Sequence, residues 1–277
     1  MRQRIITAVF FVIAVIGGVF GGPLPLFLLV TAIALGCLWE LQGLLMPGER
    51  TFRRYAGAAA GYLPVLIFGG CLIWPGAQGD HFTAAALTLG AAAGAMLLLL
   101  GAELFLESET PFQNIGAVLT GALYVGLPLA LLLSIATPGG VYNPYRVFGL
   151  LWLVWTNDTM AYFTGTWFGK NKLYERISPK KTWEGTIGGV LGTLLMAWVL
   201  SQYFSDYSAS AWLALGAIAS AIGTVGDLVE SMLKRHAGVK DSGDLLPGHG
   251  GMLDRFDSFI FMLPFAWLAI WWLERVG

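Results

Sequence analysis

The residues best suited to chemistry form a cluster toward the C-terminal end of the chain. Its first part, GDLVESMLKR over residues 226–235, spaces Asp227, Glu230, Ser231 and Lys234 three or four positions apart. At 3.6 residues per turn, these side chains share one face of a helix. Two carboxylates, a hydroxyl and an ammonium group on one face can bind a cation and a phosphate together. The alternative is an internal ion pair that only holds helices together.

The second part of the cluster is KDSGDLLPGHGGMLDRFD over residues 240–257, which is too rich in glycine and proline to be helical over most of its length. Its glycines allow backbone N–H groups to approach a phosphate closely. Four carboxylates are interleaved with the basic residues of the cluster: Asp241, Asp244, Asp254 and Asp257, with Lys234, Arg235, Lys240 and Arg255. Oxygen ligands for a divalent ion beside cations for phosphate oxygens are what phosphoryl or nucleotidyl transfer requires. A solvated charged loop would explain the cations, but not the carboxylates or the glycines.

A second polar segment lies earlier in the chain. Asp158 falls near the middle of an apolar run, where an acidic side chain marks a functional site or bonds to a neighbouring helix. The stretch SPKKTWEG then places Lys180, Lys181 and Glu184 just before the next apolar run. These lysines can meet a triphosphate or a lipid phosphate, or can simply mark the membrane surface.

The chain that carries these residues is strongly apolar, and this composition predicts which elements hold them. Hydrophobic residues make up 56% of the 277 residues and charged residues 12%, against roughly 25% charged in an average soluble domain. The solvent for most of the chain is therefore lipid. Runs long enough to cross a bilayer core, about 20 residues each, recur along the chain at 5–20, 24–46, 57–75, 82–104, 114–135, 147–168, 185–204, 211–233 and 257–274. This pattern predicts an all-α polytopic membrane protein of about nine transmembrane helices, and we expect no nucleic-acid partner.

The basic residues predict the orientation. With a cytoplasmic N-terminus and nine alternating helices, 14 of the 16 lysines and arginines fall on the cytoplasmic side, and only Arg146 and Arg275 fall outside. Such a bias is typical of the positive-inside rule. It also places the C-terminus outside and both polar segments at the cytoplasmic side.

The two halves of the chain differ in polarity. Residues 1–140, with about five helices, hold few polar groups within the spans, chiefly Glu40, Gln42 and Glu103. Residues 141–277, with about four helices, carry the acidic residues and the long basic loops. We therefore expect an N-terminal transmembrane scaffold and a C-terminal catalytic half.

Residues 231–257 also resemble a known family. They match, without a gap, the signature of the phosphatidate cytidylyltransferases, or CDP-diacylglycerol synthases: S-x-apolar-K-R, four residues, K-D-x-G, then P-x-H-G-G, and finally D-R-apolar-D. Residues 178–185 are similar to the S-P-K-K-T-x-E-G stretch of that family. The resemblance is specific over residues 150–257, and nine spans with this signature at the C-terminal end resemble a bacterial member.

The resemblance implies a reaction in which CTP transfers its cytidylyl group to phosphatidic acid, giving CDP-diacylglycerol and pyrophosphate. It implies Mg²⁺ held by Asp227 and Asp254, with room for a second cation. It implies a multi-pass protein of the bacterial plasma membrane whose active site faces the cytoplasm, among membrane lipids, and it leaves a homodimer open. The implied catalytic residues are Asp227, Asp254, Lys234, Arg235, Lys240, Asp241, Arg255 and Asp257. The implied substrate-binding residues are Ser231, His249, Gly250, Gly251, Lys180, Lys181, Glu184 and Asp158.

Two other functions remain open at this point. A CTP-dependent lipid kinase would use similar substrates but transfer the γ-phosphate. A cation-coupled membrane transporter would use Asp158, Asp227 and Glu230 as an ion path, although it would leave the Gly-His-Gly-Gly loop unexplained.

Overall fold

The computed structural model describes residues 2–46, 51–73, 81–106, 109–246, 248 and 250–276. Within these ranges the chain is mostly helical, and each of the nine predicted apolar runs coincides with a helical segment. The segments are α1 (Arg2–Phe20), α2 (Pro23–Leu45), α3 (Thr51–Ile73), α4 (His81–Leu106), α5 (Pro111–Gly121) continued by α6 (Leu127–Ile135), α7 (Pro144–Phe168), α8 (Trp183–Tyr203), α9 (Ala209–His236) and α10 (Leu253–Val276). The prediction of a helical, multi-pass architecture is confirmed.

Six of these segments are long and apolar enough, within the described residues, to cross a membrane: α2, residues 86–106 of α4, α5 with α6, α8, α9 and α10. The other three segments are α1, α3 and α7. Among the described residues Val9–Phe20 of α1 is a shorter apolar helix, and α7 carries Asn157 and Asp158 within its run. The count of nine spans thus stays a prediction.

One compact unit is formed by Met1–Pro144 together with Asp241–Asp254. Helix α2 lies in its core, with Leu26, Ala34, Cys37 and Leu41 fully buried. This interior contains polar contacts between helices: the Gln42 amide donates to the Ala117 carbonyl oxygen at 3.1 Å. The unit is therefore more than a lipid-facing bundle, since its interior contains specific polar contacts.

Arg53 of α3 forms a second polar contact in this unit. Its guanidinium pairs with the Glu103 carboxylate of α4 at 3.1 Å, and both side chains are about nine-tenths buried. Asn114 of α5 donates to the same carboxylate at 3.4 Å. Three helices are thus joined around one buried ion pair.

The second compact unit is formed by Tyr145–Lys240 and Arg255–Gly277. Between α7 and α8 it contains an antiparallel hairpin of β1 (Lys172–Tyr174) and β2 (Ser178–Thr182). The division differs from the predicted one at residue 140 in grouping residues 241–254 with the N-terminal helices. The reason is a set of contacts between this loop and α2.

Small residues bring the helices of the second unit close together. A Cβ at Gly189 of α8 would lie 2.7 Å from the Asn157 side-chain oxygen of α7. A Cβ at Gly226 of α9 would lie 2.5 Å from the Phe261 Cβ of α10. Close approach through small residues is the usual means of packing helices in lipid, where no hydrophobic force drives them together.

Residues 111–135 form one continuous segment with a single wide turn, Ala122–Gly126, between α5 and α6. Pro128 lies just after this turn; it has no N–H, and its ring crowds the carbonyl four residues earlier. Gly126 lies directly against the backbone of α3, so that an added Cβ would overlap the Gly61 carbonyl oxygen. The fit of this segment against α3 therefore depends on glycine.

We expect Gly126→Ala to lower the melting temperature of the detergent-solubilised protein, because overpacking of this kind costs about 1–3 kcal/mol. Gly116→Ala is the matched control in the same segment, where a Cβ would meet nothing within 4 Å. The control should be neutral or stabilising by up to about 1 kcal/mol, since alanine favours helix over glycine. Equal melting temperatures for the two variants would contradict the packing described for Gly126.

Candidate active site

The hairpin between α7 and α8 presents a group of lysines. Thr182 ends β2 and begins α8, and its side-chain oxygen accepts the Gly185 N–H at 3.1 Å. The Trp183 N–H donates to the Asn171 carbonyl oxygen at 3.0 Å, which closes the hairpin against the helix start. The cap and this bond hold the hairpin in a defined position at the end of α8.

A cavity of about 490 Å³ lies beneath this hairpin. Three lysines and two aspartates are among its lining residues: Lys172, Lys180, Lys181, Asp158 and Asp227. Helix α7 adds Asn157, Ala161, Tyr162, Gly165 and Thr166, and the start of α8 adds Gly185 and Thr186. The predicted residues Asp158, Lys180 and Lys181 are therefore brought together around one cavity, with cations and carboxylates on its wall.

Three carboxylates meet beside this cavity. Asp227 and Glu230 of α9 and Asp257 of α10 each offer one oxygen, and these oxygens all lie within 4.8 Å of one another. Glu230 is fully buried, whereas Asp227 is about one-third exposed. Clustered carboxylate oxygens are ligands suited to Mg²⁺ or another hard divalent cation.

The carboxylates meet because two helices approach closely at glycine. Gly226 leaves room for the Phe261 side chain and the Asp257 carbonyl oxygen of α10. A Cβ at Gly223 would lie at ordinary contact distance from Ser258. Asp227 follows Gly226 directly, and Glu230 lies one turn later on the same face. The packing therefore brings Asp257 to the acidic face of α9.

Two lysines pair with this acidic cluster. The Lys181 ammonium lies 2.5 Å from an Asp227 oxygen, and the Lys234 ammonium lies 2.5 Å from a Glu230 oxygen. Asp158 interacts electrostatically with both Asp227 and Lys181. When all are ionised, the four carboxylates exceed the two ammonium groups by two negative charges, which one divalent cation would neutralise.

Ser231 and Arg235 support the same end of α9. The Ser231 hydroxyl donates to an Asp227 oxygen at 3.3 Å. The Arg235 guanidinium donates to the Val239 carbonyl oxygen at 3.1 Å and to the Ile177 carbonyl oxygen at 3.5 Å. Ser231 thus orients a carboxylate, and Arg235 ties the end of α9 to the hairpin turn.

Glu184 accepts hydrogen bonds from the turn that precedes the hairpin. Its carboxylate accepts the Lys170 N–H at 3.1 Å, the Asn171 N–H at 3.2 Å and the Asn171 side-chain amide at 2.7 Å. These bonds hold residues 170–171 against the start of α8. They indicate that Glu184 shapes the loop that carries the lysines.

The signature loop is held by Asp254 at the start of α10. One Asp254 oxygen accepts the Gly251 N–H at 2.8 Å and the Ser242 N–H at 3.0 Å. Gly250 has a positive φ of 83°, a conformation that glycine adopts readily. The Gly251 N–H, expected to face a phosphate, is thus bonded to a carboxylate of its own loop. His249 lies outside the described residues.

The remaining predicted residues of the loop reach the surface. Lys240, Asp241 and Arg255 are exposed. Their roles stay those that the family resemblance predicts.

Sequence reasoning missed three residues of this site. Glu230 is not among the predicted metal ligands, yet it is the most buried member of the acidic cluster. Lys172 and Asn157 also line the cavity; Asn157 directly precedes the predicted Asp158, whereas Lys172 lies outside the predicted polar stretches. The spacing of Glu230 three residues after Asp227 was the one signal available.

Comparison with known proteins supports the family resemblance seen in the sequence. A sequence model of the cytidylyltransferase family matches residues 2–273. A phosphatidate cytidylyltransferase of Bacillus subtilis is 35% identical over 275 residues, which cover 98% of this chain and 97% of the relative. One from Staphylococcus aureus strain COL is 44% identical over 160 residues, covering 57% of this chain and 60% of the relative. One from Staphylococcus haemolyticus is 42% identical over 169 residues, covering 60% and 63%.

The match to the family model spans nearly the whole chain, and it agrees with the resemblance seen in residues 178–185 and 231–257. The relative from Bacillus subtilis is similar over almost its full length. This chain belongs to the cytidylyltransferase family.

Proposed function

We propose that this protein transfers the cytidylyl group of CTP to phosphatidic acid, giving CDP-diacylglycerol and pyrophosphate. Family membership supports the reaction class, and relatives named phosphatidate cytidylyltransferase support the substrates. The observation that carries the proposal for these residues is the cavity lined by Lys172, Lys180 and Lys181 together with Asp158 and Asp227. Asp227 is also a member of the carboxylate cluster.

The chemistry needs no strong base. The second pKa of a phosphate monoester is about 6, so the phosphate of phosphatidic acid is largely dianionic near neutral pH. One of its oxygens attacks the α-phosphorus of CTP, a new P–O bond forms, and the bond to the β-phosphate oxygen breaks. Pyrophosphate leaves with the electron pair of that bond. The difficulty is to bring two polyanions together, which an enzyme overcomes by electrostatics and positioning.

The lysines of the hairpin suit this task. Lys172 and Lys180 line the cavity with exposed side chains, and they would hold phosphate oxygens of the two substrates. Lys181 is paired with Asp227, so it can hold the carboxylate in place and still contribute positive charge to the cavity. Asp158 borders the same cavity within α7, and its charge is compensated in part by Lys181.

The acidic cluster is the proposed metal site. Asp227, Glu230 and Asp257 would hold Mg²⁺, which their oxygen donors and net negative charge fit. When bound, the ion supplies positive charge to the phosphate oxygens as negative charge develops in the transition state. Asp254, predicted as a ligand together with Asp227, holds its own loop, and its part in binding a first or second cation stays a prediction.

The family resemblance assigns further roles to the loop. Lys234, Arg235, Lys240 and Arg255 would contribute cations to the phosphates, and Lys234 is also the partner of Glu230. Asp241 would either bind a metal or orient the lysines and arginines, and His249, Gly250 and Gly251 would shape the phosphate pocket. These roles stay predictions, as does a homodimer.

We further propose that all nine helical segments cross the bacterial plasma membrane, with the N-terminus in the cytoplasm and the C-terminus outside. The observed segments separate the same loops as the predicted runs, so 14 of the 16 lysines and arginines still sort to one side. The hairpin lysines are on that side, facing cytosolic CTP. Phosphatidic acid would then enter from the inner leaflet.

Purified protein in lipid–detergent micelles, given phosphatidic acid, Mg²⁺ and CTP labelled at the α-phosphate, should move label into the lipid fraction. Because the α-phosphate is transferred, CTP labelled at the γ-phosphate should leave all label in water-soluble pyrophosphate. Label entering the lipid from the γ-position only would identify a lipid kinase instead. Lack of CTP turnover with any lipid would contradict the proposed function and favour the transporter.

Glu230→Gln should raise the Mg²⁺ concentration for half-maximal activity by about tenfold or more, because a ligand and one negative charge are lost. It should also abolish the rise in melting temperature that Mg²⁺ gives the wild type through binding to the folded state. Glu175→Gln, in the exposed hairpin turn, is the control and should keep both responses. Unchanged Mg²⁺ responses in Glu230→Gln would place the metal elsewhere.

Alkaline phosphatase fused after Gly277 should be active, since its disulfides form only outside the cytoplasm. The same reporter fused after Glu175, in the hairpin, should be inactive, and a fluorescent protein that matures only in the cytoplasm should give the reverse pattern. Phosphatase activity at Glu175 would refute the proposed orientation.

A further inference from the structure

Glu40 is a buried carboxylate that has no assigned role in the proposed reaction. It lies in the core of α2, in the half of the chain expected to be scaffold, and is 4% exposed. An ionised group inside an apolar span is costly and is retained where it has a function. Its contacts show where that function lies.

The Glu40 carboxylate binds the two ends of the signature loop. It accepts the Ser242 hydroxyl at 2.9 Å near the beginning of the loop. It also accepts the Met252 and Leu253 N–H groups, each at 2.9 Å, at the end of the loop. The first N–H groups of a helix have no partner within the helix, so Glu40 caps α10 from a different helix.

Two glycines of the loop are required by this carboxylate. A Cβ at Gly243 would lie 2.5 Å from a Glu40 oxygen. A Cβ at Gly251 would overlap both the Ser242 hydroxyl and the other Glu40 oxygen. The side chain of α2 and the glycines of the loop thus fit one another, and the loop cannot close around Glu40 with larger residues at these positions.

The same contacts reach Asp254. Ser242 is held between two carboxylates, because its hydroxyl donates to Glu40 and its N–H donates to Asp254. Gly251 likewise lies against Glu40 and donates its N–H to Asp254. A change at Glu40 would therefore release the two residues that orient the Asp254 carboxylate.

We propose that Glu40 is a positioning residue for cytidylyl transfer. It holds the loop in the shape that orients Asp254 and fixes the start of the helix that carries Arg255 and Asp257. It acts through these residues and touches neither substrate. The inference rests on the proposed function, and it gives the N-terminal half a part in the reaction through the signature loop.

Glu40→Gln tests the inference with an isosteric change. The amide keeps one oxygen but turns an N–H donor toward groups that are themselves donors, so at least one of the three bonds is lost. Glu103→Gln is the matched control, since it removes the charge of another buried carboxylate whose partner is Arg53 of α3. For both variants, the melting temperature, kcat, and KM for CTP and for phosphatidic acid are measured beside the wild type.

We expect both variants to lower the melting temperature, but only Glu40→Gln to lower kcat, by about tenfold or more. KM for phosphatidic acid should stay within about twofold, because misplaced groups cost transition-state stabilisation more than ground-state binding. A wild-type kcat in Glu40→Gln, or an equal loss of kcat in Glu103→Gln, would overturn the inference. A wild type that makes no labelled lipid would instead count against the proposed function.

Ser242→Ala provides the second test and decides the matter if Glu40→Gln does not fold. It removes only the hydroxyl and should lower kcat by about threefold or more, the effect expected for one hydrogen bond. In the double variant the two losses should be less than multiplicative, because the residues share one network. Wild-type kcat in Ser242→Ala, or fully multiplicative losses, would show that the loop does not act through Glu40.

Discussion

An ionised side chain in the apolar part of a membrane protein is costly unless a partner, water or a metal compensates it. The second compact unit holds four carboxylates under this constraint, and its polar contacts follow from it. Lys181 meets Asp227, and Lys234 meets Glu230. The excess of negative charge that remains is the basis for the divalent-cation site proposed here.

The same constraint explains the packing around the site. Carboxylates on different helices share a cation only if the helix backbones approach closely, and lipid provides no hydrophobic force to press them together. Gly223 and Gly226 on α9, and Gly189 on α8, supply that approach. Helix α7 contributes Asn157, Asp158 and Thr166 to the cavity, and it is not among the described segments that are apolar enough to cross a membrane.

The N-terminal half obeys the constraint in a different way. Its buried carboxylates are satisfied by protein groups: Glu103 by Arg53, and Glu40 by the N–H and hydroxyl groups of the signature loop. The second of these contacts joins the loop to α2 and groups residues 241–254 with the first compact unit. The half whose composition predicts a scaffold thereby holds the signature loop in place.

The amino-acid sequence by itself determined the helical, multi-pass class, the place of each helical segment and the family, because apolar runs and motif spacing are local properties of a chain. It also indicated Asp158, Asp227, Lys180 and Lys181 as site residues. The two aspartates stand out because they lie within apolar runs, and the two lysines because they belong to a recognisable motif. Only the tertiary structure decided which of these groups meet. Glu230 and Asp257 join Asp227 through a close contact of α9 with α10, and Glu40 reaches a loop 200 residues away. The spacing of residues along the sequence does not predict such contacts, because they depend on which helix faces approach each other and on where glycine leaves room for them.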